Sequence, residues 1–174
     1  MPTRRCTIDS SCVIALDHLN WLRKLPVLFS SVLVPKAVRE DLFKRRETKN
    51  RIQSLFDEYG FLERCDDYDK GTVVFLLAER IRDGVKDRGE VEAVVQASQV
   101  GAAVLVDDLW GRKLAAQYDL DYHGTVWVLQ RFHELGLVAS SELRNSFEVL
   151  RSRRIRLPWK NVDELLIRIG EEPL

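Results

Sequence analysis

Cysteine is scarce in this chain, and histidine equally so. The three cysteines, Cys6, Cys12 and Cys65, are odd in number and widely spaced. They build neither a disulfide framework nor a zinc pattern, and read instead as small buried hydrophobes. His18, His123 and His133 lack metal-ligand spacing and read as structural or surface residues. An excess of one charge is also missing. The 27 Lys and Arg balance 27 Asp and Glu, so net charge carries no global signature of nucleic-acid binding and leaves only local patches. No apolar stretch approaches the roughly 20 residues that span a bilayer. Met1-Pro2-Thr3-Arg4-Arg5 runs straight into a strand-like segment rather than a signal-peptide core, the pattern of a cytoplasmic protein with no membrane partner. Internal repeats and low-complexity linkers are absent.

What is present suits one compact α/β unit. The chain has 174 residues, 45% of them hydrophobic, enough for a real core. Residues 5–9 read as a buried strand, with Ser10 or Ser11 capping a helix over 12–22. Val32–Val34 reads as a short strand, and Pro35 as the first residue of a helix. That helix runs from Lys36 to about Tyr59, with room for a break in the block 44–51. Phe61–Arg64 reads as a strand and Thr72–Ile81 as a helix. Asp83-Gly84 and Asp87-Arg88-Gly89 mark a loop, and Glu90–Val100 a helix stopped by Gly101. Ala102–Val106 is a continuous apolar run of the kind buried in parallel sheets. A short helix over Arg112–Tyr118, an edge strand over Asp121–His123 and a helix over Val126–Leu135 follow. Ser140 or Ser141 caps a further helix, a basic run (Arg151, Arg153, Arg154, Arg156) comes next, and Val162–Ile169 makes the last helix. Strands alternating with helices predict a mainly parallel sheet covered on both faces. Residues 1–139 form this unit, and 140–174 a helical extension that packs on it.

The chemistry lies in the acids. Asp9 ends the first strand, and Asp107 and Asp108 end the central one. Strand ends are where α/β folds build their sites, and clustered carboxylates there suit a hard divalent cation and phosphate chemistry. Two adjacent acids repel unless a cation offsets them. After Pro35, Val38 and Leu42 define the apolar face; Asp41 borders it, while Glu40 points nearly opposite. Glu90 and Glu92 flank the face Val91, Val94, Val95 on opposite sides, so periodicity does not choose between them. Each acid alone also suits a helix cap or a solvated face.

Taken together, these pieces resemble the PIN-domain nucleases, in particular a toxin-like branch related to VapC-type toxins. The resemblance rests on Ile8-Asp9-Ser10-Ser11, on Val34 to Leu42, and on Arg88-Gly89-Glu90-Val91-Glu92-Ala93. It is completed by Leu105 to Lys113 and His123 to Leu129, all in family order. It implies a three-layer α/β/α sandwich with an acidic, metal-binding pocket. It also implies Mg²⁺- or Mn²⁺-dependent RNA cleavage, a homodimer and an antitoxin partner. By position it makes Asp9, Asp41, Glu92 and Asp108 the catalytic acids. Asp107 is a further metal ligand, Glu40 and Glu90 are alternates, and Ser11 and Thr125 are polar neighbours. Asp41 departs from the usual glutamate, and its shorter side chain alters the reach to a metal.

Arg112 and Lys113 directly follow the acidic pair and are the first candidates for phosphate contacts, with Lys44, Arg45 and Arg46 next. Trp110, in the same loop, is a candidate base-stacking or partner contact. Two other readings compete: a PIN-like module that binds RNA or protein without cutting, and a receiver-like phosphoacceptor domain. The second lacks a clear lysine at the end of a late strand.

Overall fold

The computed structural model describes residues 4–44, 46–58, 60–82 and 88–174. Its first strand, β1 (Arg5–Ile8), lies beside β2 (Ser31–Pro35) on one side and β4 (Ala103–Leu105) on the other. Outside these are β3 (Leu62–Cys65) and β5 (Tyr122–His123), and every pairing is parallel, in the order β3-β2-β1-β4-β5. The helices are α1 (Ser10–His18), α2 (Lys36–Lys44), α3 (Arg46–Glu58), α4 (Lys70–Arg82), α5 (Arg88–Val100), α6 (Leu109–Gln117), α7 (Thr125–Glu134), α8 (Ser140–Ser152) and α9 (Trp159–Arg168). A 3-10 segment, Leu22–Val27, takes up the interruption at Pro26.

The period-two geometry of a strand assigns the sheet's two faces. Cys6 and Ile8 of β1 and Ala103 and Leu105 of β4 enter one apolar cluster. Val13 and Leu16 of α1, Val128 and Phe132 of α7, Phe147 of α8 and Val162 and Leu165 of α9 join it. Val104, flanked by Ala102 and Val106, enters the second cluster with Val73 of α4, Val91, Val94 and Val95 of α5, and Leu114 of α6. The result is the expected sandwich: helices, a parallel sheet buried on both faces, helices. Among the described residues no helix is long and apolar enough to cross a membrane.

Several boundaries differ from the sequence reading. Asp9, not Ser10 or Ser11, caps α1, because its carboxylate already accepts the Cys12 N–H. Pro35 closes β2 opposite Cys65 instead of opening α2; the end of a strand tolerates the missing donor. α5 includes Arg88 and Gly89, two residues that the sequence reading left in the loop. α6 starts at Leu109, three residues early, because Asp108 accepts from both Trp110 N and Gly111 N. Ala139 rather than a serine stands at the cap of α8. The long helix from Lys36 is described as α2 and α3, and whether it breaks within the charged block turns on Arg45, outside the described residues. The loop expected at Asp83-Gly84 and Asp87, and the expected helix end at Tyr59, lie outside the described residues, as does Arg45.

Candidate functional site

The chain winds outward from β1 through β2 to β3, then returns to place β4 against the other side of β1. The winding reverses between β1 and β4, and a crevice forms there, outside the carboxyl ends of the strands. Asp9 and Asp107 leave those two strand ends. The Asp9 N–H donates to Leu105 O at 3.0 Å, which ties the two exits together.

Each carboxylate is held by a helix start. Asp9 Oδ1 accepts the Cys12 N–H at 2.8 Å, and its Oδ2 accepts the Ser11 hydroxyl at 2.7 Å. Asp107 accepts the Thr125 N–H at 2.8 Å and the Thr125 hydroxyl at 2.6 Å, at the first residue of α7. Cys12 links the pair from below, since its Sγ lies 3.4 Å from Asp107 Oδ2. Burial pushes the Cys12 thiol pKa well above its ordinary value, with the two acids adding to the effect. The thiol therefore stays protonated as a donor. Asp9 is 1% exposed. Burial, and then the charge of Asp107, raise its pKa from 3.8 to about 7. Two neighbouring acids, one of them fully buried, are what a cation would relieve.

Beside them opens a cavity of about 540 Å³, lined by Ser11, Glu90, Asp107, Asp108, Arg112 and Arg156, among others. The other acids divide in an informative way. Glu90 is buried and lines the cavity. Glu92 is fully buried elsewhere: it accepts the Ala37 N–H at 2.8 Å, at the start of α2, and Arg88 Nε at 2.5 Å. Tyr68 hydrogen-bonds it as well, and burial followed by that bond raises the Tyr68 pKa. Asp108 reaches the cavity mouth, yet its carboxylate caps α6, so Asp107 is the member of the pair that confronts Asp9. Asp41 is half-buried and bonds Lys44 on its own helix at 2.6 Å. Glu40 is exposed, 3.8 Å from Lys36. Both lie outside the cavity lining.

The cations divide similarly. Arg112 Nε donates to Val106 O at 3.1 Å, and its Nη2 stands 3.8 Å from Asp107. Lys113 is exposed on α6. Trp110 is half-buried against the second apolar cluster.

Sequence reasoning took Cys12 for a bland hydrophobe and did not connect Arg156 to the acids. The Arg88-x-x-x-Glu92 spacing was a usable signal for a pair made one helical turn apart. Gly124 is the N-cap of α7. A Cβ there would meet Arg112 Nη2 at 2.2 Å and Asp107 Oδ1 at 2.5 Å. The arginine tip can swing away, but the aspartate is fixed by two bonds. Gly124→Ala should therefore cost about 1–3 kcal/mol of stability and weaken any ligand held by Asp107. Thermal unfolding checks this, and an unchanged melting temperature would refute it.

A family model described as a PIN domain matches residues 5–171. The chain belongs to the PIN-domain family. No curated relative matches it. PIN domains are in general metal-dependent nucleases, and the match runs through α8 and α9. Among the described residues no three His, Cys, Asp or Glu side chains gather to hold an ion. The donor chemistry of this PIN domain nonetheless fits one. Mg²⁺ is commonly held by one or two carboxylates, with water and phosphate oxygens completing its shell. Asp9 and Asp107 supply that pair, and among the described residues no cation pairs with Asp9.

Proposed function

We propose that this PIN domain is a Mg²⁺- or Mn²⁺-dependent endoribonuclease. The observation that carries the reading is that Asp9 and Asp107 leave adjacent strand ends and share Cys12 between them, with Glu90 and Asp108 lining the cavity beside Asp107. In this reading Asp9 and Asp107 would hold the cation, Glu90 and Asp108 would accept from the water it carries, and Ser11 and Thr125 orient the two aspartates. When bound, the ion activates water and offsets charge on the scissile phosphodiester. Arg112 and Arg156 neutralise phosphate oxygens, and Lys113 adds to the local positive field. Glu92 and Asp41 stand away from the acidic cavity: Glu92 fixes the start of α2, and Asp41 pairs with Lys44 on that helix.

The toxin role, with an antitoxin partner, a homodimer and a cytoplasmic location, rests on the resemblance to VapC-type toxins. A second reading, an RNA- or protein-binding module that does not cut, is favoured by the lack, among the described residues, of a third acid gathered with the pair and by the guanidinium beside Asp107. Manganese-supported cleavage of RNA by the purified chain, abolished in Asp107→Asn, is the outcome expected of a nuclease. RNA left intact with Mn²⁺ and with Mg²⁺ would leave the binding module. Growth arrest on induction, relieved by the neighbouring open reading frame, tests the toxin role.

A further inference from the structure

A second cavity, of about 330 Å³, opens beside the acidic one. Arg112 and Pro158 line both. The volume lies within the range of small-ligand sites, about 300–1,000 Å³. Its wall is of a different kind. The rings of His123 and Trp127 stack with centroids 3.7 Å apart and planes 7° from parallel. Trp127 in turn packs on Phe29, which seats the stack on the apolar core. Tyr122 is 38% exposed at the same cavity. Two carboxamides, Gln130 and Asn161, also line it.

An anchored aromatic stack, an exposed phenol and amide groups able to pair with a base edge make up the chemistry that reads unstacked bases. Arg112 lines both cavities, where its guanidinium would meet the phosphate that joins such a base to the neighbouring nucleotide. We propose that this cavity is a nucleobase subsite, taking the base of the nucleotide next to the scissile phosphate of a single-stranded RNA. The inference rests on the endoribonuclease reading for the word scissile, and on the cavity alone for the base. It gives the turn between α8 and α9 a role as the ridge that separates phosphate from base: Arg156 and Leu157 face the acidic side, Asn161 the aromatic side, and Pro158 both.

The test compares a short single-stranded oligoribonucleotide with the same strand made abasic at one central position. Binding to the full chain is followed by fluorescence anisotropy in EDTA, so that nothing is cut. The base should improve affinity by about tenfold, the order expected of one stacked base. Tyr122→Ala and Asn161→Ala, both at exposed positions, should lose that gain and keep the salt dependence that phosphate contacts produce. Melting temperatures within a degree or two of the wild type will show that both variants fold. Asp107→Asn should keep the base-dependent gain. A chain that shows the gain but never cuts RNA would sink the nuclease reading and sustain this one. Equal affinity for intact and abasic strands would overturn it and leave the cavity to a protein segment. So would binding duplex as tightly as single strand, or a gain that survives both variants.

Discussion

Asp9→Asn should abolish metal-dependent cleavage and, at the same time, make the metal-free protein more stable at pH 8. The two effects have one cause. Asp9 is buried against Asp107, and its folded pKa of about 7 lies above the ordinary 3.8. The folded state therefore binds the proton more tightly than the unfolded chain does. The stability that this proton contributes is complete below about 3.8 and is lost as pH rises through about 7. At one and a third kcal/mol per pKa unit, the loss amounts to up to about 4 kcal/mol. Asparagine does not titrate and still accepts the Cys12 N–H. Wild type should thus lose stability relative to Asp9→Asn between pH 4 and pH 8, as read by urea unfolding in EDTA. Adding Mn²⁺ at pH 8 should raise the wild-type midpoint and leave the variant's unchanged. Parallel pH profiles for the two proteins would show that the buried repulsion is not there.

Glu92→Ala should cost the fold more than any other single change at the acids. The substitution removes a fully buried carboxylate that bonds the Ala37 N–H and Arg88. It leaves a helix-start donor without its acceptor and a cavity between α2 and α5. Breaking a buried, hydrogen-bonded charge pair costs about 3–5 kcal/mol; discounted for the half-exposed Arg88, about 3 kcal/mol is expected. For a chain of this size that is roughly 6–12 °C in the melting temperature. Glu92→Gln keeps an acceptor for Ala37 and should recover about half of it. A Glu92→Ala protein that melts with the wild type would remove the structural role assigned to this residue.

Fold and site were legible in the sequence to different depths. Ala103 to Leu105 read as a buried parallel strand because both of its faces are apolar, Cys6 to Ile8 because two of its three residues are, with Thr7 satisfied on Ala93 O, and the acids after them marked the crevice. Which acid of each pair turns inward was not legible. Asp107 and Asp108 are neighbours on one exit loop, and the choice is made by Gly111 and Trp110, whose N–H groups capture Asp108. Glu90 and Glu92 flank one helical face, and the choice is made by α2, which brings the Ala37 N–H across 55 residues to Glu92. Contacts of that range leave no period in the sequence. The Ser10 and Ser11 cap failed for a local reason: a carboxylate one residue earlier already filled the position.

The strand that carries Asp9 is packed from the far end of the chain. Ile8 and Val13 share their apolar cluster with Phe147 and Leu150 of α8 and with Val162 and Leu165 of α9, and the ridge beside the acids is Arg156 to Pro158. A chain still being translated has exposed its first aspartate long before it can seat it. The packing beneath Asp9 is therefore completed only by α8 and α9, which leave the ribosome more than a hundred residues after it.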